Sequence, residues 1–235
     1  MDEKWCLLFN IFIFLTIYFL LYYIMKNKRT KRKKQTKRKK YTKRNKTLIN
    51  DNIIYIKNFL NKNDYKYIQS LNKDMNNFKK ENFRYIRPLN KEDNEDKTVY
   101  DIFYDDKYIR KIQRKVNPKI YPSDFPIEHR FYHKESEGMR WHKDTLLYEK
   151  PQYEAIYTIN NLSESETQWN DEKGNLNSKW TEPNSLLIVK AQGYMHGVTP
   201  PKSGIREILK LIYTQTDKVN GNYHKEITRF NNYQV

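Results

Sequence analysis

Hydrophobic and polar positions divide this chain into three regimes. Residues 5–25 form a stretch of 21 without a charge, interrupted only by Asn10, Thr16 and tyrosines. At about 1.5 Å per residue, a helix of that length crosses a hydrocarbon layer of roughly 30 Å. Residues 26–46 hold 14 Lys and Arg and no acid. Such a run is too polar and too repetitive to pack and reads as a solvated linker. Beyond it, the pattern becomes that of a folded domain. Residues 53–59 read as a strand. Asn61-Lys-Asn-Asp64 supplies an Asx cap with an acid three residues on, and Tyr65, Ile68 and Leu71 continue at helical spacing. A second helix is expected over about 97–116, with Tyr100, Ile102, Phe103, Ile109 and Ile112 available for burial. Pro118, Pro122 and Pro126 then hold the chain extended. Further strands are expected at 153–159, at 185–191, where apolar and β-branched residues run together, and at 206–214. Residues 161–184 form a polar excursion carrying Trp169 and Trp180, either a hairpin over a site or a surface loop. The segment after Lys218 is polar and reads as loosely held.

Charge sharpens the division. The net charge is +17, yet residues 1–25 carry −1 and the basic run +14, so residues 47–235 carry only +4. The folded domain is mildly basic, whatever the whole chain suggests. The apolar stretch does not read as a cleaved leader, because Asp2-Glu3-Lys4 precedes it and bulky residues continue to Met25. The basic run beside a spanning helix suits anionic lipid headgroups and places itself and the domain on the cytosolic side. Its other reading, a nuclear-targeting or nucleic-acid-binding arm, is less favoured beside that apolar span. Cys6 is the single cysteine and gives no sign of a disulfide framework or a closed zinc site. Heavy use of Lys, Asn, Ile and Tyr fits an AT-rich coding genome, such as that of a large DNA virus or a protist.

Chemistry concentrates in two segments. His142-Lys-Asp144 places an imidazole and a carboxylate two residues apart, on one face of an extended strand. His196 follows far downstream, and a sheet must bring it to them. Two histidines and one carboxylate hold non-haem Fe(II) on one face and leave the opposite positions open. Arg206 comes ten residues after His196, across the turn-rich segment 198–204. A cation there suits a cosubstrate with a free carboxylate, such as 2-oxoglutarate. Of the other histidines, His129, His133 and His224 read as surface or packing residues. Strand parity with Arg206 turns Lys210 inward unless a bulge intervenes, and a buried lysine there needs a partner or a wet cleft. Trp141 either walls the site or belongs to the core.

His-x-Asp, a distal His and an Arg, in the local form His-Gly-Val-Thr-Pro-(x)3-Gly-x-Arg, resemble the Fe(II)/2-oxoglutarate-dependent dioxygenases, above all their prolyl-4-hydroxylase-like branch. The resemblance covers roughly residues 53–215. It implies a mainly β fold with supporting helices, a double-stranded β-helix or jelly roll, here preceded by the transmembrane helix. It implies iron held by His142, Asp144 and His196, 2-oxoglutarate paired with Arg206, and ascorbate as a reductant. Tyr132 is implied as a cosubstrate contact, with packing as its alternative. The domains are then an anchor over 1–25, a polybasic linker over 26–48, a strand and helix support region over 49–120, the barrel with its iron site over 121–217, and a polar tail over 218–235. The implied reaction converts 2-oxoglutarate and O2 to succinate and CO2 while hydroxylating a peptidyl residue, proline first. Oxidative demethylation of nucleic acid is the second reading, and a non-catalytic binder of anionic membranes the third.

Overall fold

The computed structural model describes residues 52–81 and 84–231. The expected spanning segment and basic linker lie outside these residues. Among the described residues no helix is long and apolar enough to cross a membrane.

The domain opens with β1 (Ile53–Ile56), α1 (Lys62–Gln69), β2 (Lys79–Glu81) and β3 (Arg84–Pro88). Two helices follow, α2 (Asn94–Phe103) and α3 (Asp106–Gln113), then the short β4 (Tyr121–Pro122). The barrel strands are β5 (Glu128–His133), β6 (Met139–His142), β7 (Tyr153–Asn161), β8 (Thr167–Asn170), β9 (Leu176–Lys179), β10 (Ser185–Lys190), β11 (His196–Val198) and β12 (Ile205–Thr214). The chain closes with α4 (Gly221–Asn231). The strands form two antiparallel sheets, a larger one ordered β1-β10-β7-β12-β5-β3-β2, with β4 on the end of β12, and a four-stranded one ordered β6-β11-β8-β9. This is the jelly roll that the sequence led one to expect.

Period-two alternation builds two different faces on the larger sheet. Tyr153, Ala155, Tyr157 and Ile159 of β7, with Leu209, Leu211 and Tyr213 of β12, join the core beneath the helices. That core also takes Phe59, Ile68, Val99, Phe103 and Ile112, all but inaccessible to solvent. Burying a side chain such as Phe103 contributes about 2–3 kcal/mol. The alternate positions of the same strands turn into the barrel, where Ile156 packs with Ile53, Trp169, Leu187, Val189 and Tyr194. The site is built on this inner face.

Two expectations are corrected and one open alternative is resolved. The helix expected over 97–116 is two helices, because Asp105 in extended backbone caps α3 through Lys107 N and ends α2 at Phe103. Residues 161–184 are a β8–β9 hairpin that completes the smaller sheet, with Trp169 pointing inward. Within the segment after Lys218, α4 is not loosely held, since it packs Phe230 on Phe125 with ring centroids 5.3 Å apart.

Candidate metal and cosubstrate site

The smaller sheet brings the distant histidine home. On β11, His196 pairs with His142 of β6 on one side and Trp169 of β8 on the other. Gly138, at φ +72°, makes this approach achievable, because a Cβ there would lie 2.2 Å from the Val198 carbonyl oxygen. β6 ends at His142, and Asp144 follows in the loop beyond it.

The three side chains converge. His142 Nε2 lies 3.5 Å from Asp144 Oδ1, and His196 Nε2 lies 3.4 Å from Asp144 Oδ2. One ligand atom from each residue falls within 4.8 Å of the others. The tautomers are fixed from behind. His142 Nδ1–H donates to the Arg140 carbonyl at 2.8 Å, and His196 Nδ1–H donates to the Tyr194 carbonyl at 3.1 Å. Each Nε2 lone pair therefore faces the carboxylate, the arrangement that second contacts give to histidines meeting a metal. Asp144 Oδ2 is buried without a hydrogen bond. Burial raises the Asp144 pKa, but the polar contacts with the His142 and His196 imidazoles and the charge of Lys210 outweigh it and hold the group ionised. Two imidazoles, one carboxylate and an unsatisfied buried oxygen fit a divalent cation of the Fe(II) type.

Arg206 lies on the inner face of β12, paired across the sheet with Tyr132 on β5 and Asn161 on β7. It is 1% exposed, and its one hydrogen bond among the described residues runs from Nη2 to Thr167 Oγ1 at 3.1 Å. Among the described residues, Nε and Nη1 have no hydrogen-bond partner and Arg206 forms no ion pair. Burial lowers the Arg206 pKa, with opposition only from phenols. A desolvated guanidinium holding two unused donors is a receptor for a planar anion, and a carboxylate matches its fork. Tyr132 is buried beside it. Burial would raise the phenol pKa, but Arg130, Arg84 and Arg206 pull it below 10. The structure brings His142, Asp144 and His196 into one cluster and buries Arg206 and Tyr132 as cross-strand neighbours on β12 and β5.

Lys210 also points inward, and its partner is Glu154 of β7, with Nζ 2.6 Å from Oε2. Burial and the neighbouring Asp144 push Glu154 up to about 7, against the opposing pull of Lys210. Glu154 was not singled out from the sequence. Its signal was parity, since it alternates with Ile156 and Thr158 on the strand face opposite the aromatic one. Trp141 is 43% exposed and belongs to the surface beside His142, not to the core. His129 is buried on the helix side of β5, its Nε2 3.0 Å from Glu207 Oε1.

No family model matches the chain, and no curated protein matches it by sequence. Solved structures do. A 2OG-Fe(II) oxygenase family oxidoreductase from Burkholderia pseudomallei aligns with a TM-score of 0.62 at 10% identity, over 72% of this chain and 87% of that one. A Trichoplax adhaerens prolyl hydroxylase, solved with a hypoxia inducible factor peptide fragment, aligns at 0.56 and 14% identity, over 70% and 84%. HygX from Streptomyces hygroscopicus, with nickel and 2-oxoglutarate bound, aligns at 0.54 and 11%, over 71% and 84%. At such identities the likeness establishes the fold, that of the Fe(II)/2-oxoglutarate oxygenases.

Proposed function

We propose that this chain is an Fe(II)/2-oxoglutarate-dependent dioxygenase that hydroxylates a peptidyl residue, with proline favoured, on the cytosolic face of a membrane. The observation that carries this reading is the convergence of two freed imidazole nitrogens and a buried carboxylate, in a barrel whose inner face also buries Arg206 with two unpartnered donors. His142, Asp144 and His196 would hold the metal, and Arg206 the far carboxylate of 2-oxoglutarate. Bound there, iron supplies oxidative decarboxylation of the cosubstrate to succinate and CO2, coupled to oxygen insertion into a C–H bond. Ascorbate would keep the metal reduced.

The chain's own groups do the positioning. The Arg140 and Tyr194 carbonyls hold both imidazoles in one tautomer and one orientation. Thr167 fixes one arm of the guanidinium and leaves the other donors for the cosubstrate. Trp169, 2% exposed, walls the interior against water. A peptide substrate is supported by the Trichoplax relative in fold, which was solved with one. Exposed Trp141 and Met195 adjoin the two histidines and offer apolar surface to a chain segment. Residues 5–25 would anchor the protein, and residues 26–46 would lie on anionic headgroups.

The reading is tested by incubating the protein with Fe(II), 2-oxoglutarate, ascorbate and peptide or nucleic-acid panels. Succinate release and a peptide product heavier by one oxygen atom are expected, with both lost in His142→Ala. Formaldehyde release from methylated nucleic acid would favour demethylation instead. Absence of succinate under every condition, including uncoupled turnover, would remove the oxygenase reading.

A further inference from the structure

A cleft of about 510 Å³ opens at the C-terminal end of β12, where Thr214 leaves the larger sheet. Three parts of the chain build its walls. Tyr121 belongs to β4 and Asp124 to the turn after it, Tyr148 to the loop between Asp144 and β7, and Asp217 and Tyr223 to the approach to α4 and its first turn. The walls are tied together. The Tyr148 and Ser123 hydroxyls share a hydrogen bond of 2.5 Å. Tyr148 also pairs with Val219 in an isolated β-bridge, and the Glu149 N–H donates to the Lys218 carbonyl at 3.0 Å. The Tyr148 and Tyr223 rings meet edge to face, with centroids 5.6 Å apart.

The charge of this cleft is opposite to that of its surroundings. The folded domain is mildly basic, yet the described residues that line the cleft include two carboxylates, Asp124 and Asp217, and no lysine or arginine. Both carboxylates are exposed, so the fold consumes neither. Ammonium groups from outside already gather on these walls. Lys91 Nζ lies 3.5 Å from Asp124 Oδ1, and Lys119 Nζ lies 5.0 Å from the centre of the Tyr121 ring. Exposed contacts of this kind are weak and easily exchanged. Tyrosine rings for the stem and cation, with carboxylates for the charge, form a receptor for a long basic side chain.

The cleft is also close enough to the metal cluster to serve one substrate. Tyr148 follows Asp144 by four residues, so their Cα atoms are no more than about 14 Å apart. An extended peptide advances about 3.3 Å per residue. A basic side chain three to five residues from the one presented to the metal can therefore reach the cleft.

On the peptide-hydroxylation reading above, we propose that this cleft is a subsite for a lysine or arginine side chain of the substrate, three to five residues from the hydroxylated position. The barrel interior then selects the residue to be oxidised, and the cleft selects the sequence around it.

The test uses the full chain in non-ionic detergent, loaded with Mn(II) and 2-oxoglutarate without oxygen. The probes are fluorescently labelled eleven-residue alanine peptides with a central proline. Lysine replaces one alanine at each offset from three to five on either side, and norleucine, which keeps the stem without the charge, replaces it in a matched set. Anisotropy titrations should show lysine at one or two offsets binding about fivefold or more tightly than norleucine at the same place. Asp124→Asn/Asp217→Asn should reduce that advantage to about twofold or less and leave the norleucine peptides within about twofold of wild type. Both positions are exposed, so the variant is expected to fold, which circular dichroism verifies. The proposal is overturned if lysine binds no better than norleucine at every offset, or if the double variant keeps the preference. Calorimetry on the same samples separates the two failures. Protein that takes up neither Mn(II) nor 2-oxoglutarate removes the functional reading and the subsite with it, whereas protein that takes up both and ranks the peptides equally overturns the subsite alone.

Discussion

An arginine buried without a counter-ion is unfavourable for the folded protein until an anion arrives. Arg206 is in that position, with Nε and Nη1 unsatisfied, so stability and binding should respond oppositely to its removal. Arg206→Met is expected to stabilise the ligand-free protein by about 1–3 kcal/mol, measured as a higher urea midpoint. The same change should weaken 2-oxoglutarate binding by about 10- to 100-fold, the worth of a charged hydrogen-bonded pair. A variant destabilised in the absence of ligand would show that Arg206 serves the core and not the cosubstrate. His129 gives a second residue-scale test, through pH. Burial lowers its pKa below 6.5 against the opposing pull of Glu207, so the unfolded chain takes up a proton at higher pH than the folded one. Its contribution is complete above pH 6.5 and is lost as pH falls toward the depressed value. Glu207 has a lowered pKa because His129 and Lys73 outweigh its burial, and it adds a loss that begins only near pH 4.5. Glu154, pushed up to about 7, contributes the opposite slope to both proteins, so the wild type should lose more stability than His129→Gln between pH 7 and pH 5, the difference being the His129 share. Equal slopes in the two proteins would refute the assignment. The candidate metal and cosubstrate residues were legible as candidates because chemistry restricts their types and strand parity their faces. Glu154 was not, because a single glutamate in a strand announces neither its facing direction nor its partner.

At the scale of elements, alternation gave the strands and the helical stripe gave α1, but endpoints depended on capping. Asp105 interrupts an apolar spacing that reads continuously from Tyr100 to Ile112, and only the geometry of its side chain reveals a helix start. The β8–β9 hairpin was ambiguous for a different reason. Its residues are mostly polar, and what recruits it is one inward Trp169 meeting a sheet that cannot be assembled from local pattern. The C-terminal helix was misread from mean polarity. Tyr223, Ile227 and Phe230 are spaced by four and three residues, which places them on one helical face, and all three join the cluster around Phe125 and Ile212. Phe230→Ala should therefore cost about 3 kcal/mol or more, read from the denaturant midpoint, with metal binding retained in the fraction that stays folded. A loss below about 0.5 kcal/mol, the usual range for surface changes, would mean that α4 is not docked as described.

Across the whole chain, the charge is divided between a mildly basic folded domain and a segment of 14 basic residues joined to an apolar stretch. That order predicts a cytosolic domain on a single-pass anchor, and the structure determines how this can be tested. Asn161-Leu-Ser163 is a glycosylation acceptor by sequence, but Asn161 is 5% exposed and its Nδ2 donates to the Thr181 carbonyl at 3.1 Å. A glycan there would be incompatible with the barrel, so its absence would say nothing about topology. Asn90 is a better reporter. It is exposed, in the loop between β3 and α2, and its Oδ1 already accepts from the backbone of Glu92. Glu92→Thr completes an acceptor sequence at Asn90 without touching the barrel interior. Expressed with microsomes, the Glu92→Thr chain should sediment with membranes and remain at its unglycosylated mass, because the basic segment retains the domain on the cytosolic side. A glycosidase-sensitive increase in mass would place the domain in the lumen and reverse the orientation. Recovery of the chain in the soluble fraction would instead remove the anchor, leaving residues 26–46 to serve a polyanion other than lipid.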